Sequence, residues 1–147
     1  MTDFEKINSC RNLVATRIFE PDTNELLIEI SLGKVSKFEE DWTTNGKTLG
    51  KRREILFDNT NDSYLLYFDS YISYFIVNES YDNLSPGDYS GNRIREYKTS
   101  SFIDFCKKQT LAFQLVKVEN IRQYGIVTAN HIILILTTCE LEIRTKE

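Results

Sequence analysis

The chain has 147 residues, 41% of them hydrophobic and 27% charged, with a formal net charge of -4 and one histidine. That length suits one domain with one core, and the composition lies far from the low-hydrophobicity, high-charge regime of disordered chains. Net acidity weighs against nucleic acid as a partner, because phosphate contacts need a basic footprint.

With two prolines and six glycines, no stretch reads as a linker, so residues 1–147 form a single domain. The opening MTDFEKINSCRN lacks the basic segment and apolar core of a secretion signal. The aliphatic run from Ile132 to Leu136 is far short of the roughly 20 residues that a membrane-spanning helix needs. The expected setting is the cytoplasm, with no membrane partner. Three cysteines, Cys10, Cys106 and Cys139, are odd in number and widely spaced, which suits neither a disulfide framework nor a zinc cluster. They read as small packing residues, and no metal or cofactor is expected.

Thr2 opens a capping box, TDFE, and Phe4, Ile7, Val14 and Ile18 recur at helical spacing, so the pattern predicts an amphipathic helix from about 3 to 18. Pro21 and the DTN after it turn the chain. ELLIEISL alternates as a half-buried strand, and Gly33 permits a turn or bulge before Val35 and Phe38. Trp42 is expected to pack near the next strand. TTNGKTLGKRR carries an Asn-Gly and reads as a loop or hairpin connection. Its Gly-Lys-Thr does not make a phosphate loop: the glycine required five positions earlier is Asp41, and the segment leads into a strand rather than a helix.

Ile55 and Phe57 define a strand and DNTND a turn. From Tyr64 to Val77 the chain reads as two strand segments separated by Asp69-Ser70, either continuous through a bulge or reversed by a short turn. Both faces of the first are largely apolar, as in a central strand covered on both sides. NESYDNLSPGDYSGNR is turn-rich. TSSFIDFCKKQ predicts a short helix over about 101–109, with an N-cap serine and lysines in its last turn. LAFQLVKV, RQYGIVTA, HIILILTT and ELEIRT predict a closing antiparallel meander. The sum is an α+β fold, mainly one antiparallel sheet that could close like a barrel, with an N-terminal helix and a second near residues 101–109.

No catalytic motif is present: there is no GxSxG elbow, and the lone His131 begins an apolar strand without an identifiable partner. The feature above background is the stretch from Glu54 to Asn92. It holds seven carboxylates (Glu54, Asp58, Asp62, Asp69, Glu79, Asp82, Asp88), six of the eight tyrosines and no Lys, Arg or His. The other 15 acids face all 18 basic residues, so the rest of the chain is net +3. Tyrosines supply rigid contact area, and carboxylates steer a cationic partner. Asp69, Tyr71, Glu79, Tyr81, Asp82, Asp88 and Tyr89 are therefore the candidate residues for binding a basic protein. An immunity protein against a bacterial nuclease-type toxin is the most concrete form of that expectation. The alternative is an enzyme or small-ligand module with an aromatic-lined pocket, using His131 as a polar group.

Overall fold

The computed structural model describes residues 1–56, 62–83 and 87–147. Two antiparallel sheets pack face to face. The first orders β1 (Leu13–Phe19), β2 (Leu26–Leu32), β5 (Ser63–Phe68) and β11 (Glu142–Thr145) as β1-β2-β5-β11. The second comprises β6 (Ser73–Asn78), β7 (Gly87–Gly91), β8 (Ile94–Ser100), β9 (Arg122–Val127) and β10 (His131–Thr137), ordered β6-β10-β9-β8-β7. Neither order returns to its first strand, so the expected barrel is instead a two-sheet sandwich with open edges. Between the sheets, Leu26, Ile28, Ile30, Leu66 and Phe68 from one face Ile94, Ile126, Ile133 and Ile135 from the other, all essentially without solvent exposure. Alternation along the strands puts these residues on one face each, which is why one core can be filled from two sheets.

The first helix is shorter than the periodicity predicts. It spans Asp3–Ser9 (α1), with the Thr2–Glu5 capping box formed as expected. Residues 13–19 instead pair with β2. Val14, Thr16 and Ile18 are β-branched and favour a strand that has a partner, so tertiary pairing outweighs the helical spacing. The Asn8 side chain fixes where α1 docks: its Oδ1 accepts from the backbone N–H groups of Asn92, Arg93 and Ile94 at 2.9–3.0 Å.

β3 (Lys34–Thr44) and β4 (Lys47–Leu56) pair only with each other, as a hairpin arm exposed along nearly all its length. Asn45 and Gly46 take φ of 53° and 75° at its tip, the two left-handed positions of a tight two-residue turn. The basic residues of β4 face the acids of β3: Arg53 bonds Glu39 at 3.2 Å and Arg52 approaches Glu40 at 3.8 Å. Trp42 stands opposite Gly50 on the next strand, β4, and is half exposed there. Phe57 and residues 58–61 of DNTND lie outside the described residues, as do residues 84–86 of the turn-rich segment.

β5 is a central strand, but it is buried on alternate residues only. Tyr64, Leu66 and Phe68 face the core as expected, and the other face is not covered. β5 and β6 do not form a continuous strand or a hairpin; the chain crosses from one sheet to the other between them. Burial on both faces is found instead along much of β2, β9 and β10. The helix over 101–109 is present as α2 (Ser101–Gln109), capped by Ser100. LAFQLVKV is not a strand: it forms a helical turn, α3 (Ala112–Leu115), and a 3₁₀ turn at Val118–Asn120. β9 already has β10 and β8 on its two sides, so this segment has no vacant ladder beside it.

One side chain stitches the two sheets. Asn130, in the turn between β9 and β10, accepts from the Ala15 amide at 3.0 Å and donates to the Ala15 carbonyl at 2.8 Å. Ala15 is paired with Ile30 on β2 and β1 is an edge strand, so Asn130 supplies on its open side the partners that a further strand would. Replacing Asn130 with Ala strands both groups, and we expect a loss of about 1–3 kcal/mol, read as a lower midpoint in chemical denaturation.

Candidate functional site

The outer face of the five-stranded sheet carries an open groove of about 610 Å³. Its floor follows from the register. One row across the sheet is Ser73, Leu136, Gln123 and Tyr97, and the next is Phe75, Leu134, Gly125 and Arg95. One wall is α2, which brings Phe102 and Phe105; the other is the turn after β6, which brings Tyr81 and Asp82. Phe75, Tyr81 and Phe105 are 56%, 83% and 58% exposed, so the aromatic rim is turned to solvent.

Gly125 shapes the floor. A Cβ there would lie 2.8 Å from Tyr97 Cε2, so the Tyr97 ring lies over the bare backbone and Tyr89 packs on it, with centroids 5.1 Å apart. Ser100, the last residue of β8, sets the wall. Its hydroxyl accepts from the Ile103 amide at 3.0 Å, capping α2, and donates to Oε1 of Gln123. Gln123 is 1% exposed and its Nε2 has no hydrogen-bond partner.

The candidate residues of the acidic stretch divide into three places. Tyr81 and Asp82 line the groove, with Glu79 in the same 3₁₀ turn (Glu79–Tyr81). Asp88 and Tyr89 sit on β7, the opposite edge strand, and Tyr89 reaches the groove through Tyr97. Four strand spacings separate β6 from β7, roughly 19 Å. Asp69 and Tyr71 lie at the other end of β6, roughly 17 Å from Glu79 along the strand. There they join Glu20 and Glu25 in a separate cluster: Tyr71 donates to Glu20 at 2.5 Å, and Tyr67 donates to Glu25 at 2.6 Å and to Asp69 at 3.3 Å. Three of the four arginines closest in sequence are engaged elsewhere, and the fourth, Arg95, sits on Tyr89, one of the candidate residues. Arg52 and Arg53 stay on the hairpin arm, and Arg93 donates to the carbonyls of Cys10 and Arg11.

His131 is not part of the groove. It pairs with Asn78 in the row beyond Ile133 and Ile76, on the inward face of the sheet, opposite to Leu134. Its Nδ1 is buried without a partner. Cys106 is buried on α2, and burial pushes its thiol up, which disfavours a thiolate nucleophile. Among the described residues no group of three His, Cys, Asp or Glu could hold a metal ion, and no helix is long and apolar enough to cross a membrane. The groove offers apolar contact and hydrogen bonding, without an acid-base pair at its floor.

Sequence reading missed Gln123, Tyr97, Phe75 and Ser100 as site residues. The only local sign was a glutamine among the buried residues of RQYGIV; Phe75 looked like core, and its exposure depends on what covers the outer face. No family model, curated protein or solved structure matches the chain.

Two outcomes test this geometry. Gly125→Ala forces the Tyr97 ring off the sheet, with an expected cost of about 1–3 kcal/mol in denaturant melts. Tyr71, pushed up to about 12 chiefly by its bond to the Glu20 carboxylate, should remain protonated after ordinary tyrosines have ionised near pH 10. Its raised value means the fold gains stability from it below pH 10, and loses that gain as pH rises from about 10 to 12. Tyr67 is raised as well, chiefly by its bond to Glu25, so absorbance titration should show a late phenol phase whose amplitude falls by one tyrosine in Tyr71→Phe.

Proposed function

We propose that the chain is a non-catalytic binding protein that neutralises a basic protein partner, working in the cytoplasm, with an immunity protein against a nuclease-type toxin as its most concrete form. The observation that carries the reading is the exposed aromatic rim of Phe75, Tyr81 and Phe105, bordered by Asp82 in the same groove. Exposed aromatic side chains around a concave apolar floor are the composition of a protein-binding hot spot. A carboxylate at the margin adds steering and selects for cations. The geometry favours the part of the acidic stretch around the groove, Glu79, Tyr81 and Asp82, with Asp88 and Tyr89 at its far edge. Asp69 and Tyr71 form a second contact only if the partner also reaches the other end of β6.

A photoreactive residue in place of Tyr81 would capture the partner, and the purified pair then allows rates to be measured. Glu79→Lys with Asp82→Lys should slow association about tenfold at low salt, with the difference shrinking as salt is added. Glu147→Lys, at the exposed terminus, should change little. Equal slowing by both charge reversals, or none by either, refutes the groove as the contact surface. Asp69→Lys measured alongside tells whether the contact extends to the second cluster.

A further inference from the structure

Among the described residues, β6 is the one outer strand of the two sheets whose open side carries no guard. It lies at the edge of the second sheet, next to β10 alone, and its six residues, SYFIVN, include no charge, proline or glycine. Six consecutive pairs with β10 keep one register, so no bulge bends it away. The other outer strands are protected in the ways that edges commonly are. β1 carries Arg17, a register shift and the Asn130 side chain on its open side. β11 is four residues long and holds Glu142 and Arg144, and β7 has a shift beside Asp88 and a glycine at each end. The register also fixes which backbone groups of β6 are open. The Glu79 amide bonds the Asn130 carbonyl at 3.2 Å, so antiparallel alternation turns Ser73, Phe75 and Val77 toward β10. The N–H and C=O groups of Tyr74, Ile76 and Asn78 then point to the open side. Beside them the Phe75 and Ile76 side chains, on opposite faces, are 56% and 39% exposed.

We infer that β6 takes up an extended segment of the partner as a sixth strand of the second sheet, a segment of about six uncharged residues with Lys or Arg at both ends. It rests on the basic-partner reading and adds the way that partner docks. Both ends of β6 are acidic. Asp69 lies before it, beside Glu20, which accepts from Tyr71, and the Tyr71 ring packs edge-on against Tyr74 of β6 at 4.8 Å. Glu79 and Asp82 follow it in the next turn, and the uncharged strand between the two ends is about 17 Å long. Among the described residues Glu20, Asp69 and Glu79 form no ion pair. That arrangement selects against a second copy of this chain, because β6 laid on its own copy in either direction sets acids against acids at both ends. A strand with cations at its ends meets opposite charge at both, while the open amides and carbonyls supply its ladder.

The test titrates a probe peptide, Lys-Lys-Thr-Val-Thr-Ile-Val-Thr-Lys-Lys, and the same peptide with Glu for every Lys, into isotope-labelled protein. The lysine peptide should shift the amide resonances of Tyr74, Ile76 and Asn78 and protect those amides from exchange. At low salt it should bind about tenfold more tightly than the glutamate peptide, with the gap closing as salt is added. Methylating the peptide's backbone nitrogens at alternate residues separates strand pairing from side-chain contact: one alternate set should lose about fivefold per blocked amide, and the other little. Ile76→Pro, which removes an amide that β10 does not use, should abolish binding, and the methylated peptides decide the matter if that variant does not fold. The inference is overturned if no resonance moves at millimolar peptide, if both peptides bind equally, or if both methylated sets bind alike. It is equally overturned by a dimer of the protein alone that Ile76→Pro dissolves, since the edge then serves a second copy. Should pairing fail while Glu79→Lys with Asp82→Lys still slows the partner captured at Tyr81, this inference falls and the basic-partner reading stands. Pairing of the lysine peptide, with reversals that leave the partner's rate unchanged, removes the groove rim and keeps the strand edge as the contact.

Discussion

The hydroxyl of Ser100 is the constraint on which the rest of the site depends. It stands where β8 ends and α2 begins, and it accepts from the first turn of the helix while donating to Gln123 on the neighbouring strand. A helix N-terminus needs its free amides satisfied, and here the group that does so is anchored to the sheet. The helix is thereby laid along the outer face instead of swinging free, and the Gln123 side chain is tied to its first turn. A single oxygen thus joins one groove wall to the groove floor.

The sandwich explains why the outer face is available at all. Its core is closed from both sheets by aliphatic side chains and is joined at the margins by two asparagines, Asn8 and Asn130, whose amides stand in for backbone partners. Those polar links leave the apolar contact area of the sheets free for each other. α2 then covers only part of the five-stranded sheet, and the aromatic residues it does not reach remain at the surface. The hairpin arm takes no part in that covering, and its Arg52 and Arg53 are matched in place by Glu40 and Glu39.

The run of acids and tyrosines does not act as one patch. Its members are contiguous in sequence, but within it the chain passes from the hairpin arm to the first sheet and then to the second, where β6 and β7, which both belong to it, lie on opposite edges. Tyr71 and Asp69 become part of a cluster of phenols bonded to carboxylates at one end of β6, while Tyr81 and Asp82 fold over the groove.

Local signals settled the elements whose physics is local. The capping boxes and caps at Thr2 and Ser100, the Asn45-Gly46 turn and the alternation of Tyr64, Leu66 and Phe68 each depend on neighbours within a few residues, and each stands in the structure where the residues place it. Val14 to Ile18 and Leu111 to Val118 went the other way because helical spacing and strand alternation are only preferences until a partner is present: the first segment found β2, and the second precedes β9, whose two sides β8 and β10 already fill. Barrel or sandwich, which strand is covered on both faces, and which acids converge were decided by pairing between segments far apart in the chain. The groove belongs to that second class. Gln123, Tyr97, Phe75 and Ser100 are brought together by register across four strands, and no periodicity along one strand can reveal what the neighbouring strand sets beside it.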